Sequence, residues 1–139
     1  MIRTVRMLVV LSLASGTAAA GTCPAAVPAA VKKAFPDGTA LTCAPHGKDF
    51  EVRLTRNKAE LQVDVSATGE ILLVEEPIPV SSIPATVMKA FSAKYPKAKA
   101  TKAEKMTKGP AVSFELAFSI DGRRREATFN LDGTFVEEE

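Results

Sequence analysis

From residue 113 to residue 139 the chain reads SFELAFSIDGRRREATFNLDGTFVEEE, and apolar residues fall at every second position. Phe114, Leu116, Phe118 and Ile120 form one such run, and Ala127, Phe129 and Leu131 form the next. A period of two sends alternate side chains to opposite sides of a strand, so the pattern predicts strands with one buried and one wet face. Asp121-Gly122 and Asp132-Gly133 separate the runs and suit type I′ turns, since both residue types tolerate positive φ. The same alternation appears at 50–55, 61–65 and 71–74, after a strand around Leu41. It returns around 99–105, 112–120, 124–131 and 134–137. Two other stretches have a period near four: Val27, Val31 and Phe35, then Ile83, Val87, Phe91 and Tyr95. These predict helices with one apolar stripe. Ser81 and Ser82 stand where they would cap the second helix, Pro84 falls in its first turn, and Pro36-Asp37-Gly38 ends the first.

The two halves are written alike. AVPAAVKKAF (26–35) lies over SIPATVMKAF (82–91), DFEVRL (49–54) over SFELAF (113–118), and VDVSATGEIL (63–72) over ATFNLDGTFV (127–136). A shared order of helix, then strands, predicts a duplicated supersecondary unit. The expected fold class is therefore α+β, a tandem repeat of two α-β-β-β-β units with the helices on one face of an antiparallel sheet. The expected units are residues 21–78 and 79–139, together one compact domain, with EEPIPVSS (75–82) as a Pro-containing linker. Whether the two sheets fuse or stay separate is left open by the pattern.

Residues 1–20 change the picture of where the protein works. Arg3 and Arg6 precede an apolar stretch from Met7 to about Leu13, and Ala18 and Ala20 fit the small-x-small rule for cleavage after Ala20. That is a secretory signal peptide, and the expected location is the periplasm or the medium. The rival, lipidation of Cys23, lacks the aliphatic and small residues that such a site wants just before the cysteine. No other apolar stretch approaches the ~20 residues of a membrane span. Of the 18 basic residues two lie in this segment, and none of the 16 acidic ones do, so the exported chain carries 16 of each and is formally neutral. The chain has only two cysteines, Cys23 and Cys43, which in an oxidising compartment are expected to pair.

The string IPATVMKAFSAKYPKAKATKAEKM, followed by VSFELAFSIDGRRREATFNLDGTFVEEE, resembles the PepSY-like domains, also called β-lactamase-inhibitor-like domains, of exported bacterial proteins. The shared pattern falls on Pro84, Val87, Phe91, Tyr95-Pro96, Asp121-Gly122 and Asp132-Gly133. The first half matches more sparsely, through Pro28, Val31, Phe35, Pro36, Phe50, Val52 and Gly69. The resemblance implies a small, non-enzymatic module that binds or inhibits an envelope protein or peptidase.

Candidate chemistry is sparse. His46 is the single histidine and reads as a turn residue. No Gly-x-Ser-x-Gly and no Asp-x-Asp-x-Asp-Gly loop occurs, so neither an enzyme, a cofactor nor a metal is expected. The seven lysines from Lys89 to Lys108 lack interleaved aromatics, which argues against nucleic acid. The expected binding face is the wet side of the sheet, with Arg53, Gln62, Asp64, Glu115, Arg123, Arg124, Arg125, Glu126 and Asn130 as its candidates and an envelope protein or peptide as its partner. Arg123-Arg124-Arg125 has two readings, an anion-binding cluster or a solvated strand start paired with acids such as Glu115. A small-ligand or ion-binding sensory protein is the alternative function.

Overall fold

The structure is a computed structural model and describes residues 22–139. The segment that reads as a signal peptide lies outside the described residues. In chain order the elements are α1 (Ala26–Ala34), β1 (Thr39–His46), β2 (Asp49–Arg56), β3 (Ala59–Val65), β4 (Ile71–Ile78), one 3-10 turn (Val80–Ser82), α2 (Ala85–Lys94), β5 (Lys102–Lys108), β6 (Ala111–Ile120), β7 (Arg123–Asn130) and β8 (Phe135–Glu138). All eight strands form one sheet in the order β1 to β8, each antiparallel to the next.

This corrects the expected architecture. The chain is not a tandem repeat of two helix-then-sheet units with helices on one sheet face; it is mostly a single eight-stranded antiparallel meander with two short helices. The reason lies in residues 75–78, which the sequence pattern assigns to a linker. They form the second half of β4 and pair with β5 from Val74 opposite Thr107 to Ile78 opposite Ala103. Proline argues against an interior strand because it has no N–H to donate. Pro77 is tolerated because the β3 ladder has already ended at Gln62 opposite Glu75, so Pro77 is paired only with Glu104 of β5.

Two smaller expectations are also corrected. Ser81 and Ser82 do not cap α2: they lie in the 3-10 turn, and the N-cap position is Pro84, with no side-chain cap bond. At Asp121-Gly122 both residues have positive φ, 51° and 75°, as a type I′ turn requires. At Asp132-Gly133 only the glycine does, at 87°, and the Asn130 N–H donates to Thr134 O while the ladder shifts register between Thr128 and Phe129. The second Asp-Gly is thus a longer turn with a bulge.

Apolar side chains gather in two clusters. Val27 and Val31 of α1 pack with Val52, Leu54, Leu61, Val63 and Val65. Val87 and Phe91 of α2 pack with Phe114, Leu116, Phe118 and Phe129. Fully burying one such side chain stabilises the fold by about 1.5–3 kcal/mol. Phe91 meets Phe118 and Phe129 edge-on, at centroid distances of 5.2 and 6.3 Å, and Tyr95 lies 4.5 Å from Phe118. The Tyr95 hydroxyl donates to the Glu138 carboxylate, which also accepts from Arg125. Burial, then the carboxylate beside it, pushes the Tyr95 phenol up to about 12.

The disulfide between Cys23 and Cys43 is present and ties the chain before α1 to β1. Gly69 and Gly133 occupy matching places, at the hairpins that approach α1 and α2. A Cβ on Gly69 would lie 2.9 Å from the Ala26 carbonyl oxygen, and one on Gly133 would lie 3.1 Å from the Thr86 carbonyl oxygen.

Opening the disulfide across its 20-residue separation is expected to cost about 3 kcal/mol, read as a lower urea midpoint for Cys23→Ala/Cys43→Ala than for the oxidised chain. Gly47, also at positive φ, has nothing within 4 Å of the position an added Cβ would take, so Gly47→Ala should cost only the backbone conformation, about 1–2 kcal/mol. Gly69→Ala adds a clash with helix backbone and should be clearly worse in the same unfolding experiment; equal losses would show that α1 yields freely at this contact.

Candidate functional site

Alternation sends the second set of strand side chains to the face opposite the buried clusters. Strand β2 places Glu51 and Arg53 there, β3 Glu60, Gln62 and Asp64, β4 Glu75, β5 Lys102 and Glu104, β6 Glu115, and β7 Arg124, Glu126, Thr128 and Asn130. Arg53 stands opposite Gln62, Glu115 opposite Thr128, and Asn130 opposite Ser113. Of the residues predicted from sequence, Arg53, Gln62, Asp64, Glu115, Arg124, Glu126 and Asn130 therefore share this open face.

Arg123 and Arg125 fall on the other parity. Three consecutive strand residues cannot point one way, so Arg123-Arg124-Arg125 is divided by the pleat rather than gathered into one anion site. Arg125 pairs with Glu138 on the side of Tyr95, while Arg124 pairs with Glu126 two residues along its own strand, not with Glu115.

Glu51 and Glu60 follow from the same alternation in the sequence, and two acids that it did not place complete the open face. Glu75 falls in the stretch that reads as a linker, and Glu104 sits in a lysine-rich stretch whose facing cannot be known without the β4–β5 register. With them in place, Glu51, Asp64, Glu75, Glu104, Glu115 and Glu126 cross the sheet from β2 to β7. Glu51 is directly opposite Asp64, and Glu104 is directly opposite Glu115. Like charges so placed destabilise a sheet. Burial, then Glu126, Glu104, Glu75 and Glu139, pushes the Glu115 carboxyl up to about 7. Burial, then Glu104, Asp64 and Glu51, also holds Glu75 above its ordinary value, with His46 acting the other way.

The cations on this face are partly spent. Arg53 Nε donates to Glu51 Oε1 at 2.6 Å and its Nη1 reaches Glu60 Oε1 at 3.5 Å; these bonds, led by the one to Glu51, hold the guanidinium above its usual range. Between these side chains lies a depression of about 260 Å³ lined by Arg53, Glu60, Gln62, Glu75, Pro77 and Glu104. The arrangement can attract cations and cationic groups.

His46, which reads from sequence as a turn residue, is the last residue of β1 and pairs with Asp49. Its parity is that of Glu51, so it stands at the β1 edge of the same face. His46 Nδ1 lies 3.5 Å from Asp64 Oδ1, with the His46 side chain 62% exposed and that of Asp64 22%. One donor atom each from His46, Glu51 and Asp64 lies within 4.8 Å of the others. Only the β1–β2 and β2–β3 registers together could have shown this, because the three residues form no ligand motif in sequence.

No protein-family model and no curated protein matches the chain. Solved structures do match in fold. A "putative periplasmic" protein from Bacteroides eggerthii DSM 20697 aligns with a TM-score of 0.77 at 14% identity, covering 86% of this chain and 89% of that one. A DUF2874 family protein from Bacteroides uniformis ATCC 8492 aligns with a TM-score of 0.76 at 15% identity, over 84% and 88% of the two chains. A BLIP-like protein from Bacteroides fragilis NCTC 9343 aligns with a TM-score of 0.71 at 21% identity, over 84% and 85%. At such identities the likeness is one of fold alone. Among the described residues no helix is long and apolar enough to cross a membrane.

The raised Glu115 carboxyl makes stability depend on pH. Folded, it titrates at about 7 against an ordinary 4.5, so the folded state holds the extra proton between these values and stability falls as pH rises through that window. Glu75 acts in the same direction. Asp37, Asp132 and Glu138, all held below their ordinary values, oppose this only at lower pH, as they protonate. The facing charges are Glu75, Glu104, Glu126 and Glu139, with Lys102 and Arg124 at the rim. The melting temperature is expected to be higher at pH 5 than at pH 8, and Glu115→Gln should raise it at pH 8 and flatten the difference; a variant with an unchanged pH profile would refute this account of the face.

Proposed function

We propose that this chain is an exported, non-enzymatic, PepSY-like binding module whose open sheet face receives a basic segment of an envelope protein or peptide. The observation that carries this reading is the direct pairing of Glu104 with Glu115 in the interior of the sheet, next to Glu75 and Glu126. Such a pairing costs stability when the protein is alone, and a lysine or arginine side chain laid across it would relieve that cost. Fold similarity to a BLIP-like protein and to a "putative periplasmic" one supports binding outside the cytoplasm. The Cys23–Cys43 disulfide supports an oxidising compartment.

Recognition on this face is electrostatic rather than aromatic. The chain has no Trp, and its one Tyr is buried against Phe118 and tied to Glu138. Aromatic anchors in desolvated pockets are the usual source of tight protein binding. A charged sheet instead favours rapid, salt-sensitive docking and selects partners by sign of charge.

Crosslinking capture from the native envelope, with the oxidised chain and its Glu75→Gln/Glu104→Gln/Glu115→Gln variant as baits, tests this. The expected result is a saturable partner with a basic segment, bound at least about tenfold more weakly by the variant, equivalent to about 1.4 kcal/mol. Retention should also fall as salt is raised toward about 1 M, where the screening length drops to about 3 Å. Equal, salt-insensitive capture by both baits would remove the reading.

A further inference from the structure

At the β1 end of the open face, away from Glu104 and Glu115, a second feature stands on its own geometry. We propose that His46, Glu51 and Asp64 form a binding site for a divalent transition-metal ion of the zinc class.

Three consecutive strands supply one ligand each. His46 ends β1, Glu51 lies on β2, and Asp64 lies directly opposite Glu51 on β3, all with the same facing. Their donor atoms are within 4.8 Å of one another, and His46 Nδ1 is already 3.5 Å from Asp64 Oδ1. Two ligands on one zinc ion, with bonds of about 2.0–2.1 Å at tetrahedral angles, stand roughly 3.4 Å apart. The His–Asp spacing is therefore near what an ion needs, and a side-chain rotation of Glu51 brings in the third donor.

Asp64 Oδ1 supplies the independent reason to invoke a ligand. That one oxygen is buried and accepts no hydrogen bond, with the His46 imidazole nitrogen 3.5 Å away as its nearest partner, while the Asp64 side chain as a whole is 22% exposed. A carboxylate oxygen withdrawn from water without a donor is unfavourable, and a directly bound cation removes the penalty. The donor set selects the cation. One imidazole nitrogen with two carboxylates suits zinc, nickel or copper, whereas magnesium and calcium prefer oxygen alone. Three protein ligands leave a fourth position for water or for a side chain from another molecule.

Arg53 is a built-in competitor, since its Nε occupies Glu51 Oε1 at 2.6 Å. The ion must use the other Glu51 oxygen or displace the guanidinium. Removing Arg53 therefore separates metal coordination from a merely structural charge network: the network would weaken, but coordination would strengthen.

Zn2+ titrated calorimetrically into the oxidised exported chain, free of any histidine tag, tests the proposal. The expected result is one saturable site, weakened at least about 100-fold in His46→Ala and in Asp64→Asn, since loss of a direct ligand exceeds the effect of losing an outer-shell partner, and tightened in Arg53→Gln. His46 is exposed, so His46→Ala should fold normally, which circular dichroism of the metal-free variant checks. Co2+ in place of Zn2+ should give a visible absorption band with the native chain and none with His46→Ala. Absence of saturable Zn2+ binding, retention of affinity by His46→Ala, or equal affinity for Mg2+ or Ca2+ would each overturn the proposal.

Discussion

The ladder between β4 and β5 is the constraint on which the rest of the structure depends. It runs from Val74 opposite Thr107 to Ile78 opposite Ala103, and it makes one sheet of eight strands. Strand β4 divides its length between its two neighbours, with β3 beside Ile71 to Glu75 and β5 beside Val74 to Ile78. Its buried side follows: Val74 packs with the cluster around Val63, Ile78 with the cluster around Phe114, and Glu76 stands opposite Lys105 between them. A strand that serves two clusters couples them through backbone hydrogen bonds rather than through shared apolar contact.

The same ladder writes the open face. Because β4 and β5 are neighbours, Glu75 and Glu104 join acids from β2, β3, β6 and β7 that would otherwise be apart. The two sides of the sheet then do opposite things. Burial of Phe91, Phe118, Phe129 and the valines supplies the stabilisation, while Glu104 against Glu115 and Glu51 against Asp64 oppose it. Unfavourable charge held by a favourable core is a common mark of a surface kept for contact with something else. The proposed basic segment and the proposed ion would each bring to this face the positive charge that its paired acids lack.

Local elements were legible because their signals are local. Alternation around Phe114 to Ile120 and Ala127 to Leu131 marked β6 and β7, and four-residue spacing of Val87, Phe91 and Tyr95 marked α2. The failures share a cause. Pro77 argued for a linker, yet its missing N–H does no harm where β3 pairing has already stopped. The two Asp-Gly pairs look alike in sequence, but only Asp121-Gly122 takes the two-residue left-handed turn; Gly133 must also pass under the Thr86 carbonyl. The arginine run left two readings open, an anion cluster or a strand start paired with acids, and the pleat divides it, with Arg124 on Glu126 and Arg125 on Glu138.

By itself, then, the sequence determined the strands, the helices and the two cysteines available to pair, since periodicity and turn chemistry act over a few residues. Beyond the hairpin at Asp121-Gly122, the tertiary structure alone decided which strands are neighbours and in what register. That choice is made by long-range backbone pairing, to which a period-two pattern is blind. It is also the choice that sets Glu104 against Glu115, and brings His46 to Asp64.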